Sequence, residues 1–102
     1  MQAEQYIDTL PESPLDASAA YFARHLAEAR SSIEQADALA IVLPAAPTDH
    51  DDWRRALARD LAREYTPKRV NVVGGNGAGL AETLAYLGNA PGVTGQYCPL
   101  HE

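Results

Sequence analysis

The stretch that decides the fold of this chain is residues 69–82, RVNVVGGNGAGLAE. Its first part, residues 70–73, is rich in β-branched valine, which favours a buried β-strand, and the valine run stops at Gly74 and Gly75. After the glycines, leucines recur at helical spacing, at Leu80, Leu84 and Leu87. The pattern predicts a strand, a glycine-rich turn and a helix. In α/β proteins, ligands commonly lie at such turns, outside the carboxyl ends of the strands.

A second strand and a long helix precede this unit. Residues 38–43, ALAIVL, are wholly apolar and stop at Pro44, as is typical of a strand covered on both faces. Upstream, Ser13 and Pro14 predict a helix start, as N-cap and first helical residue. One apolar stripe continues from there, formed by Leu15, Ala19, Phe22, Leu26, Ala29 and Ile33.

A further helix lies between the two apolar strands. Thr48 and Asp51 approximate a capping box at its start, and Pro67 follows its end. Its apolar side chains step by four, at Trp53, Leu57, Leu61 and Tyr65. Residues 4–10 and 93–100 are the remaining strand candidates, and residues 77–87 the last helix. The order β-α-β-α-β-α-β predicts an α/β fold with about four mostly parallel strands, in a single domain over residues 1–102.

Composition narrows the classes of partner. The 102-residue chain has a formal net charge of −6, which argues against nucleic acid and anionic membranes as partners. Cys98 is the only cysteine, so neither an internal disulfide nor a cysteine metal cluster can form. The chain shows neither a signal-peptide pattern at its start nor an apolar run of membrane-spanning length. We therefore expect a cytoplasmic protein.

Two segments resemble the short-chain dehydrogenase/reductase family. LAREYTPKRVNVV, residues 61–73, is similar to that family's passage from an Ala/Leu-rich helix into Arg-Val-Asn, and LAYLGNAPGVTGQ, residues 84–96, to its later passage ending in Val/Ile-Thr-Gly-Gln. The two occur in the family's order and together cover about the last half of the chain. The resemblance implies a small Rossmann-like layered domain that corresponds to the carboxyl-terminal half of the family's fold.

The departures from the family pattern bear on catalysis. The family's catalytic tyrosine and lysine fall near Pro47 and Asp51, and its serine falls where this chain has Leu-Pro-Ala-Ala, residues 43–46. No glycine-rich dinucleotide turn stands near the start of the chain, and Gly75-Asn76 replace the family's Pro-Gly. The resemblance therefore implies a non-catalytic relative with no catalytic residues, and NAD(P) as a cofactor is an expectation of the resemblance alone.

The glycine-rich turn is the main candidate for a binding site. Backbone N–H groups at a helix start attract anions, so Gly74, Gly75, Asn76 and Gly77 are the predicted cofactor-binding residues. The spacing is neither the dinucleotide fingerprint nor a P-loop, and a tight turn that needs positive φ explains the same glycines. Both interpretations remain open from the sequence.

Other polar residues have simpler explanations. Helix capping accounts for residues 48–52, TDHDD, except His50, and no metal site is predicted there. His25 and His101 have no second ligand at helical spacing, and Cys98 is expected to be a small buried strand residue. The tyrosines at 21 and 65 are expected to be packing residues.

The resemblance also implies a homodimer, through a four-helix bundle of the helices bearing Phe22, Leu26, Trp53, Leu57 and Leu61. A partner is expected on packing grounds too, because right-handed crossovers would place all helices on one face of the sheet. The first functional hypothesis is a non-catalytic binding or assembly module. The alternatives are a small-molecule or nucleotide binder that uses residues 74–79 and, last, a residual NAD(P)-dependent oxidoreductase.

Overall fold

The structure, a computed structural model, describes residues 1–100. It contains one sheet of four parallel strands in the order β1-β2-β3-β4, which confirms the predicted α/β fold. The strands are β1 (Gln2–Tyr6), β2 (Ala38–Leu43), β3 (Arg69–Gly74) and β4 (Tyr97–Pro99). The helices are α1 (Pro14–Arg24), α2 (Leu26–Glu34), α3 (Asp51–Glu64) and α4 (Leu80–Gly88), with a short 3-10 helix at Thr48–His50.

The two apolar strands form the centre of the sheet. All six residues of β2 are buried, as are the last five of β3, since each strand has a neighbour on both sides and helices on both faces. The strand predicted at residues 4–10 lies earlier, because pairing of Gln2 with Ala38 and of Tyr6 with Val42 sets its register. The last strand is shorter than predicted and begins at Tyr97.

The predicted first helix is two helices. At His25 the backbone leaves helical geometry, with φ −123° and ψ −18°, and the helix axis kinks there. The buried column consequently runs along Ala17, Tyr21, Ala29 and Ile33. Three members of the predicted stripe, Leu15, Ala19 and Phe22, are instead exposed.

A buried network of hydrogen bonds fixes the kink against β1. The side-chain amide of Gln5 donates to the His25 carbonyl at 2.9 Å and to Glu28 Oε1 at 2.8 Å, and its oxygen accepts from the Tyr21 hydroxyl at 2.8 Å. Burial raises the pKa of Tyr21, and the charge of Glu28 raises it further. One glutamine on β1 therefore ties both helices to the sheet.

The helices cover both faces of the sheet. Helices α1, α2 and α3 pack on the face that carries Ile41 and Val72, whereas α4 packs on the opposite face, over Val42 and Val73. The expectation that all helices share one face is therefore wrong. The connections β2–α3–β3 and β3–α4–β4 both move one strand along the sheet in the same direction, between parallel neighbours. Because α3 and α4 lie on opposite faces, the two crossovers have opposite hands. The rule that such crossovers are right-handed therefore fails for one of them.

Candidate functional site

The first two glycines of the turn are engaged by the sheet. Gly74 is the last residue of β3, and its carbonyl accepts from the Leu100 N–H at 2.8 Å. Gly75 has φ +120°, a conformation that only glycine adopts without strain, and its N–H donates to the Leu43 carbonyl at 2.8 Å. Both residues are buried. These two hydrogen bonds connect the carboxyl ends of β2, β3 and β4.

The side chain of Tyr97 occupies the space next to Gly74 that a larger residue would fill with its side chain. A Cβ placed at Gly74 would collide with the Tyr97 hydroxyl and would lie 2.9 Å from its Cζ. Packing therefore favours glycine at this position, since three atoms of the Tyr97 ring and hydroxyl occupy the place of a Cβ.

The second half of the turn is exposed. Asn76, Gly77 and Gly79 all face solvent, and α4 begins at Leu80, later than predicted. Gly79 is its N-cap, with φ +91° and no side-chain capping bond. The cleft described below is not lined by any of residues 74–79. Backbone geometry explains Gly75 and Gly79, and the close approach of Tyr97 explains Gly74. Ligand binding at the turn stays a prediction.

The structure instead places a cleft at the carboxyl ends of β1 and β2. It has a volume of about 380 Å³ and lies between the loops that follow these two strands and the start of α3. Its walls are largely apolar, with polar groups at the rim and in the floor. The lining residues are Asp8, Thr9, Leu10, Pro11, Glu12, Pro44, Ala45, Ala46, Pro47, His50 and Arg54.

His50 joins the two sides of the cleft. Its ring is 3% exposed, Nε2 lies 2.9 Å from the Glu12 carbonyl oxygen, and Nδ1 accepts from the Trp53 indole N–H at 3.1 Å. A carbonyl only accepts and an indole only donates, so these partners place the imidazole proton on Nε2. Both ring nitrogens are occupied, which leaves neither free for proton transfer.

Arg54 lies in the floor of the cleft. Its side chain is 1% exposed, and Nη1 donates to the Tyr97 hydroxyl at 3.1 Å. The guanidinium carbon lies 5.5 Å from the centre of the Trp53 ring and 5.8 Å from that of Tyr97. Nε has no hydrogen-bond partner, and among residues 1–100 no carboxylate forms an ion pair with Arg54.

Arg54 is a residue that our interpretation of the sequence missed. The signal was its spacing, because Arg54 stands three residues before Leu57 and four before Ala58, both of which are buried in α3. An arginine at a core position of an amphipathic helix indicates a buried charge. The neighbouring Arg55, by contrast, faces solvent.

The cluster at residues 48–52 does not cap the helix as predicted. Thr48 begins the 3-10 helix, and α3 begins at Asp51 with His50 as N-cap and no side-chain capping bond. The capping box is therefore wrong, because the 3-10 turn moves the helix start by three residues. Asp51 lies 3.7 Å from Arg55 in an exposed i,i+4 pair.

The structure places the other residues named in the sequence analysis as follows. Cys98 is half-buried in β4, and burial raises the pKa of its thiol. Tyr21 and Tyr65 both pack against the core, the first fully buried. His101 lies outside the described residues.

Within residues 1–100, no group of three or more His, Cys, Asp or Glu side chains is placed to hold a metal ion. None of the helices in that range is long and apolar enough to cross a membrane.

The five residues of the predicted dimer interface differ in exposure. Leu57 and Leu61 are buried against the sheet of their own chain, and Leu26 and Trp53 are partly buried against the same core. Only Phe22, at 46% exposure, presents much of its surface to solvent. The packing of the single chain thus uses most of the apolar surface that the bundle would need.

Comparison with known proteins gave one match. The model of a family described as SDR-like, short chain dehydrogenase-like protein, matches residues 5–100. The match includes the last two residues of β1, the cleft and the glycine turn. No curated protein and no solved structure matches the chain.

Proposed function

The chain belongs to the SDR-like, short chain dehydrogenase-like family, and we propose that it acts as a non-catalytic binding or assembly module. One observation carries the proposal. By the resemblance, the places of the family's catalytic tyrosine and lysine fall near Pro47 and Asp51, and its serine falls at the strand end where this chain has residues 43–46, LPAA. Pro44 and Pro47 form part of the cleft wall, where neither can donate or accept a proton in a reaction.

The other polar groups of the cleft support the same conclusion. His50 has both ring nitrogens occupied, by the Glu12 carbonyl and the Trp53 indole. Arg54 is a permanent cation and cannot act as an acid or base at neutral pH. Neither His50 nor Arg54 is therefore available as an acid or base, and the cleft keeps the shape of a binding site.

The test is an oxidoreductase assay. We expect no oxidation of NADH or NADPH above the protein-free blank with a panel of aldehydes and ketones, and no reduction of NAD(P) with the matching alcohols. Turnover that persists through purification and is lost on changing His50 to Phe would contradict the proposal. A surface variant, Arg59→Gln, is the matched control, because Arg59 is exposed on α3.

We propose further that the module is a homodimer that uses the exposed side of α1. Leu15 is 83% exposed and Phe22 46%, and they are the exposed large apolar residues of that helix. Sedimentation equilibrium at micromolar concentration should show twice the 11.0 kDa chain mass, and Phe22→Ser should shift it to the monomer. Tyr86→Ser, at an exposed position of α4, is the control and should leave the dimer intact. A wild-type protein that sediments only as a monomer would contradict this part.

A second candidate function is nucleotide or small-molecule binding at the glycine turn. It is supported by the exposed backbone of residues 76–79 and the uncapped start of α4. Gly77 is suited to a test because it is exposed and its φ is not positive. If a thermal shift caused by NAD(P)H or ATP disappears in Gly77→Val while the fold persists, this candidate gains; if no nucleotide shifts the wild type, it fails.

The compartment that we propose is the cytoplasm. Its support is the single cysteine, which fits a reducing environment. Fractionation of cells that produce the chain with an epitope tag would test it, with recovery in an oxidising compartment as the contrary result.

A further inference from the structure

Among residues 1–100, Arg54 is a buried charge with no carboxylate in an ion pair with it. The residue is 1% exposed, and within that range its hydrogen bond goes to the neutral hydroxyl of Tyr97 and its Nε has no partner. Burying an unpaired guanidinium is strongly unfavourable, and such groups in proteins are normally paired or bind a ligand. A group that is costly for the fold indicates a role other than stability.

The position of Arg54 relates this charge to the cleft. Arg54 and His50 lie on its floor and side, and Leu10, Pro44 and Pro47 contribute to its walls. A volume of about 380 Å³ is within the range of small-molecule sites.

The chemistry of the lining selects among anions. Two carboxylates, Asp8 and Glu12, stand at the exposed rim, and they oppose a ligand that carries two or more negative charges. One buried cation balances one negative charge, and the proline and alanine walls suit a hydrocarbon body. The lining therefore favours a singly charged, partly apolar molecule over inorganic phosphate.

We propose that the cleft binds a small monocarboxylate, with its carboxylate on the guanidinium of Arg54 and its apolar body between the loops that follow β1 and β2. The inference rests on the proposed function, because it names the ligand class of a non-catalytic binding module. Arg54 is the anchoring residue. His50 is a positioning residue, because its bonds to the Glu12 carbonyl and to Trp53 hold the two sides of the cleft together.

Titration of the full chain with sodium benzoate, followed by proton–nitrogen correlation NMR, tests the proposal. The Arg54 Nε–H signal, assigned by its absence in Arg54→Met, should move downfield as benzoate saturates the site, because a charge-assisted hydrogen bond forms there. Benzamide, which has the same ring and no charge, should bind at least ten times more weakly. Inorganic phosphate should not saturate the site.

The variants separate an anchoring role from a structural one. Arg54→Met should weaken benzoate binding at least ten-fold, Arg54→Lys should weaken it less, and Arg55→Met, the exposed neighbour, should leave it unchanged. Equal binding of benzoate and benzamide, saturable binding of phosphate in preference to benzoate, or an unmoved Nε–H signal would each overturn the proposal. The comparison of ligands on the wild type stands even if Arg54→Met fails to fold. Loss of the carboxylate site leaves the dimer and the absence of turnover untouched, so the two proposals fail separately.

Discussion

Replacing Tyr21 by phenylalanine should destabilise the chain through Gln5, without a change in shape at the mutated site. Tyr21 is fully buried, and its hydroxyl donates to Gln5 Oε1 at 2.8 Å. The Gln5 amide cannot turn to find another partner, because its nitrogen already donates to the His25 carbonyl and to Glu28. Gln5 is 3% exposed. Without the Tyr21 hydroxyl, the side-chain oxygen of Gln5 is therefore buried with no hydrogen-bond donor.

The expected loss is about 1–3 kcal/mol of unfolding free energy, which is the desolvation cost of one buried unsatisfied polar group. For a domain of this size, each kcal/mol lowers the melting temperature by roughly 4–8 °C. Urea unfolding followed by circular dichroism measures the change, and the m-value should stay constant, because the same surface is exposed on unfolding.

Two further variants sharpen this test. Tyr86→Phe is the matched control, since Tyr86 is exposed and its substitution should change stability by under about 0.5 kcal/mol. Gln5→Leu removes the acceptor, so the double variant with Tyr21→Phe should cost less than the sum of the two single variants, with a coupling of about 0.5–3 kcal/mol. A Tyr21→Phe protein as stable as the wild type, or strict additivity in the double variant, would refute the reasoning.

Two other predictions concern β3 and β4. Gly74→Ala should lower the free energy of unfolding by about 1–3 kcal/mol through overpacking, because its Cβ collides with Tyr97. Gly92→Ala is the control, since a Cβ there meets open space, and it should change that free energy by under about 0.5 kcal/mol in the same urea titration. Equal effects of the two changes would contradict this account of Gly74. Burial raises the pKa of Cys98, so less thiolate is present at pH 8 and alkylation by iodoacetamide should be slower than for free cysteine, with full reactivity restored in urea. Alkylation of the folded protein as fast as that of free cysteine would contradict it.

Much of the architecture could be predicted because local pattern and tertiary environment agree there. The apolar run at 38–43 is β2 with the predicted bounds, and the strand, turn and helix that begin at Arg69 occur in the predicted order. Both strands lie in the middle of the sheet, where a residue is buried whichever way its side chain points. A run of apolar residues is then a sufficient signal.

The elements at the edges of the sheet were predicted less well, because their limits depend on a neighbour. The start and end of β1 follow from its register with β2, and the kink at His25 follows from a hydrogen bond to Gln5, twenty residues earlier. The face of the sheet on which α4 packs depends on the direction that the chain takes after β3. Spacing along one helix cannot report any of these.

The cleft has the same origin. Arg54, His50 and Pro47 are close in the sequence, but the loop of residues 8–12 that completes the site is about 40 residues away and meets them only because β1 and β2 are parallel neighbours. Arg54, the buried cation in the floor of the cleft, was therefore missed. The glycine turn was favoured because its glycines are close together in the sequence. At that turn the structure shows positive φ at Gly75 and Gly79 and the close approach of Tyr97 to Gly74.

The amino-acid sequence by itself determined the α/β order and the two central strands, because these depend on residue identity and local spacing. Only the tertiary structure decided that Gly74 and Gly75 face the sheet and that Arg54 is a buried cation at the floor of a cleft. Burial and the absence of a counter-charge are properties of what surrounds a side chain, and those surroundings come from segments that are far apart along the chain.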